Sequence, residues 1–87
     1  MNVRIATPLR HYTAQAGVVT AEGSTVGEVL ADLDRQFPGI RFRVVDEQGR
    51  LRRHMKVFVN LEAVRDLSTA VIPTDEVTLM QALSGGT

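Results

Sequence analysis

Cysteine and tryptophan are missing from this 87-residue chain, and histidine, tyrosine and proline are scarce. Without cysteine there are no disulfides, thiolate metal sites, iron–sulfur ligands or cysteine nucleophiles. The two histidines, His11 and His54, stand far apart with no spaced carboxylate, so no metal site is expected. Charge of one sign is also missing: ten Lys and Arg balance ten Asp and Glu, and nothing global recommends nucleic acid or an anionic membrane. No apolar run reaches the length of a membrane span, and the N-terminus lacks the basic-then-apolar pattern of a signal peptide. The expectation is a soluble, cytoplasmic domain. Glycine-rich phosphate loops are missing too, with only Gly23 and Gly27 near the one good helix start. Ser24, Ser68 and Ser84 have no histidine–acid partners and suit caps and turns, while Asp32 and Asp34 face different sides of a helix. An ordinary enzyme is not expected.

What is present suffices for one small domain. Hydrophobic residues make up 44% and charged residues 23%, a composition that folds. Val3-Arg4-Ile5-Ala6 alternates as a strand until Pro8, and Gly17 to Ala21 reads as a second strand closing a wide hairpin. Thr25 with Glu28 fits a capping box, and Val26, Val29, Leu30, Leu33 and Phe37 form one helical stripe ended by Pro38-Gly39. Ile40, Phe42, Val44 and Val45 are expected at a core edge, followed by a turn at Asp46 to Gly49. Val57 to Asn60 reads as a central strand, with Val57 and Val59 facing the helix and Phe58 opposite. A turn and short edge strand over Leu61 to Arg65, a brief helical or 3₁₀ turn over Leu67 to Ile72 and a tight turn at Pro73 to Asp75 precede a last strand, Glu76 to Met80. One helix across a mixed sheet of four to five strands, with the first and last strands parallel at its centre, is an α+β, β-grasp layout. The domain is expected over residues 1–82, with a tail over 83–87.

Three features could carry function. Six of the ten Lys and Arg lie between positions 41 and 56, which reads as a solvated loop or as a positive patch for an acidic protein or a phosphate-bearing substrate. One helix cannot cover both faces of a sheet, which leaves Phe58, Met80 and the small Ala6 on the far face as a candidate partner surface. The last strand runs into Leu83-Ser84-Gly85-Gly86-Thr87, either a frayed terminus or a thin arm for another protein's active site.

Lys56-Val57-Phe58-Val59-Asn60, the turn and strand from Leu67 through Thr74-Asp75-Glu76-Val77-Thr78-Leu79, and Ala82-Leu83-Ser84-Gly85-Gly86 together resemble the ubiquitin-like sulfur carriers of the ThiS/MoaD type. Within that group the segments from Pro38 to Met55 and at Val64-Arg65 look most like the carrier that feeds a cysteine synthase. The resemblance implies a protein co-substrate with no bound cofactor. An adenylyltransferase of the ubiquitin-activating type would use ATP to adenylate Gly86. A sulfur donor would then form a thiocarboxylate, and a sulfur-accepting synthase would consume it. Carriers of this kind act through a terminal glycine, so Thr87, stiff and β-branched, implies prior removal by a metalloprotease. A small subunit of molybdopterin synthase, a modifier conjugated through Gly86, and a binding module with a frayed tail remain alternatives.

Overall fold

A computed structural model describes residues 1–82 of the chain. Its elements are β1 (Asn2–Ile5), a 3₁₀ helix (Thr7–Thr13), β2 (Val18–Thr20), α1 (Val26–Gln36), α2 (Ile40–Val44), β3 (Met55–Val59), β4 (Glu62–Val64) and β5 (Glu76–Gln81). The five strands form one mixed sheet in the order β2-β1-β5-β3-β4. β1 and β5 are parallel, and the other pairings are antiparallel. β5 is therefore the central strand, and β3, expected there, lies one place toward the edge.

α1 forms because its sequence supplies both a cap and a stripe. Thr25 is the N-cap, its hydroxyl accepting from the Glu28 N–H at 3.2 Å. The Glu28 carboxylate reaches one residue further back than the usual box, accepting from the Ser24 N–H at 2.8 Å. Two more first-turn amides donate to the segment before β5, Val26 to the Thr69 carbonyl and Gly27 to the Leu67 carbonyl. Gly23 lets the chain pass this helix start, because a Cβ there would lie 2.7 Å from the Val29 nitrogen. Val26, Val29, Leu30 and Leu33 are fully buried against Val3, Ile5, Val57, Val77 and Leu79 of the sheet. Each such side chain stabilises the fold by about 1.5–3 kcal/mol. Phe37, the C-cap, is only half-buried at the edge of this core.

Four local expectations are corrected. The hairpin connection holds a 3₁₀ helix, because Pro8 presets the first turn while Leu9 and Thr13 plug into the core. The Thr13 hydroxyl stays satisfied there by the Ala16 carbonyl at 2.8 Å. Residues 40–44 are helical, and Gly39 enters that turn at φ 101°, where an L side chain is strained. In consequence Phe42 turns outward, 59% exposed, while Ile40 and Val44 fill the core. Leu67 to Ile72 is not helical. Asp66 caps a tight turn through the Ser68 amide and hydroxyl, and Ala70 then bridges to Thr25. No helix among the described residues is long and apolar enough to cross a membrane.

Candidate functional site

The outer face of the sheet is ordered by its register. Arg4 stands opposite Val18 and Thr78, Thr78 opposite Phe58, and Phe58 opposite Ala63, so these residues form one row across all five strands. Met80 lies two residues along β5 from Thr78, opposite Lys56. Phe58, Thr78 and Met80, with Asn60 and Leu61, line a shallow depression of about 240 Å³. Met80 is 41% exposed and Leu61 98% exposed, while Phe58 is half-buried. Ala6 follows β1 and donates its N–H to the Leu79 carbonyl at 3.1 Å, beside this depression rather than in its lining. Leu61 was missed in the sequence because it lies in a turn. An apolar residue just after an asparagine that turns the chain was the available signal. Arg4, paired with Glu76 at 2.9 Å, and Lys56 supply charge around this apolar ground.

Asn60 holds the hairpin end that presents Leu61. It adopts φ 56°, which asparagine tolerates better than most residues. Its side chain donates to Asp75 Oδ1 at 3.1 Å and accepts from the Glu76 N–H at 3.0 Å. The Asp75 carboxyl is held below its ordinary value, first by the Ile72 N–H and then by the Asn60 amide.

The end of β5 meets the basic stretch. Beyond Gln81, opposite Met55, the Ala82 N–H still donates to the His54 carbonyl at 2.6 Å. Gln81, Ala82 and His54 line a cleft of about 620 Å³ together with Arg43, Arg50, Arg52, Arg53 and Arg65. Asp46 is the one carboxylate among the described residues of that lining. Its own carboxyl is lowered, first by the Arg50 N–H and to a lesser degree by the Gln48 N–H and nearby arginine charge. Leu83, Ser84, Gly85, Gly86 and Thr87 lie outside the described residues. Ala82, the last described residue, thus lies in the lining of the basic cleft, while the outer face of β3 and β5 carries the apolar depression.

Comparison with known proteins agrees with this layout. Sulfur carrier protein CysO of Mycobacterium tuberculosis is 39% identical over 93 residues, spanning 99% of this chain and 100% of that protein. Its crystal structure superposes with a TM-score of 0.89 at 38% identity, covering 94% of this chain and 98% of that one. The crystal structure of the BexX/CysO complex from Amycolatopsis orientalis contains a chain that matches with a TM-score of 0.91 and 38% identity, covering 98% of both chains. Small archaeal modifier protein 1 of Haloferax volcanii matches with a TM-score of 0.77 and 28% identity, over 95% of this chain and 97% of that one. The ThiS family itself matches residues 3–86, nearly the whole β-grasp domain and the diglycine, and the chain belongs to the ThiS family.

Proposed function

We infer that this chain is a sulfur carrier that works through Gly86 and supplies sulfur for biosynthesis, with cysteine formation as the first pathway to examine. The observation that carries the reading is the Gly85-Gly86 pair set just beyond the central strand of a ThiS-family β-grasp domain. Likeness to CysO carriers over the full length supports it.

The chemistry follows from the poor reactivity of a carboxylate. A Gly86 carboxylate oxygen attacks the α-phosphorus of ATP on an adenylyltransferase, pyrophosphate leaves, and a mixed anhydride forms. A sulfur nucleophile then displaces AMP and leaves a thiocarboxylate, which a synthase consumes. The residues from Leu83 to Gly86 serve as the arm that enters those sites, because glycine lacks a Cβ and can pass a narrow channel. Thr87 blocks this chemistry until a metalloprotease cuts the Gly86–Thr87 bond. The depression at Phe58, Leu61 and Met80 is the surface that partner enzymes grip, with Ala6 at its margin. ATP, and the cytoplasmic enzymes that use it, belong to the partners rather than to this chain.

ATP–pyrophosphate exchange tests the assignment. With the activating enzyme, a chain ending at Gly86 should support exchange, whereas the Thr87-containing chain and a chain ending at Gly85 should not. Exchange that is equal for all three would remove Gly86 from the mechanism. A second reading, conjugation to lysines of other proteins through Gly86, draws support from the likeness to small archaeal modifier protein 1. Its product is an isopeptide bond rather than a free thiocarboxylate.

A further inference from the structure

The basic cleft has no part in the acyl chemistry set out above, and its charges are poorly balanced. Among the described residues only Arg50 pairs with a carboxylate there, Asp46 at 3.9 Å. Arg43 donates instead to the Gln81 side-chain oxygen at 3.3 Å and Arg65 to the Leu51 carbonyl at 3.4 Å. Arg52 donates to the Phe42 carbonyl at 2.7 Å and lies 4.6 Å from the centre of the Phe42 ring. These acceptors orient guanidinium groups without neutralising them. Like charges gathered in one cleft repel one another, and bound carboxylates relieve that repulsion while matching the guanidinium fork.

We propose that this cleft docks an acidic segment of the enzyme that takes up the tail. The proposal rests on the carrier reading. Gln81 and Ala82 line the cleft, so an enzyme that approaches the chain at Ala82 also comes up against the arginines. The cleft's volume of about 620 Å³ and a lining that includes the buried Leu51 and Met55 suit a peptide segment of mixed acidic and apolar residues better than one small anion. Opposite charge then speeds encounter and orients the carrier before the tail enters.

The test compares chains ending at Gly86 in ATP–pyrophosphate exchange with the activating adenylyltransferase. The Arg53→Glu/Arg65→Glu pair should raise KM for the carrier about tenfold at low salt, leave kcat unchanged and flatten the salt dependence of KM. Arg53→Lys/Arg65→Lys should keep most of the affinity, and Arg35→Glu, on the exposed side of α1, should leave KM unchanged. Circular dichroism checks that each variant folds. Unchanged KM and salt dependence in the glutamate pair would overturn the proposal. Saturable binding of pyrophosphate to the cleft by NMR, with unchanged KM, would overturn it in favour of a small-anion site. No exchange by the unsubstituted chain would remove the carrier reading and this proposal together, an outcome distinct from the other two.

Discussion

The backbone N–H of Ala82 donates to the carbonyl of His54 at 2.6 Å, one residue past the last paired position of β5 with β3. This bond ties the chain to the sheet right up to its last described residue. It also places His54, and with it the arginine cleft, beside that residue. The position of Ala82, from which the chain continues, is therefore set by strand pairing.

Partner enzymes should respond to the apolar ground on the outer face. Phe58→Asp and Met80→Asp each put a charge into the depression, and each should raise KM for carrier adenylation about tenfold or more. Met80 is exposed, so its variant should unfold at nearly the parent urea concentration. An unchanged KM in both variants would remove this surface from the partner interface.

The Asn60 clamp offers a separate test of stability. Asn60→Gly keeps the positive φ accessible but removes both side-chain bonds to the start of β5. The expected loss is about 1–2 kcal/mol by urea denaturation. A variant as stable as the parent would show that the turn alone sets this register.

The helix cap and the core it serves make a graded pair. Thr25→Ala should cost about 1 kcal/mol through the lost bond to the Glu28 amide. Leu79→Ala, in the fully buried centre of β5, should cost about 2–5 kcal/mol. Equal losses at the two sites would contradict the packing described for α1 on the sheet.

Acid should destabilise the fold through its aspartates. Asp32, Asp46, Asp66 and Asp75 are all held below the ordinary value of 3.8. The leading causes are, in that order, the Arg35 side chain, the Arg50 N–H, the Ser68 hydroxyl and the Ile72 N–H. The unfolded chain therefore takes up protons first as pH falls. The stability these groups give is fully present above their ordinary value and is lost as pH drops through the lower folded values. Urea midpoints should be flat from about pH 7 to about pH 5 and fall below about pH 4, less steeply in Asp75→Asn. A midpoint that stays constant down to about pH 2 would contradict these bonds.

Much of this was legible in the sequence, for identifiable reasons. The stripe from Val26 to Leu33 and the alternation at Val3/Ile5 and Val77/Leu79 are periodic, so they give away helix, strands and core together. Asn60 and Asp75, noted separately as marks of the family, turn out to be bonded to one another. The 3₁₀ helix at Thr7–Thr13 and the short α2 were hidden because each buries only two side chains. The arginine cluster was visible as a count along the chain, but not its place in a cleft at the end of β5. That required Ala82 to bond with His54, a contact between residues 28 positions apart in the numbering.

The most direct measurement is the intact mass of the chain after incubation with the processing protease, ATP, the activating enzyme and a sulfur donor. The account predicts loss of Thr87 and replacement of one oxygen by sulfur, with fragmentation placing the sulfur on the Gly86 carboxyl. A chain that stays unmodified with all components active, or that gains sulfur while Thr87 is still attached, would contradict it.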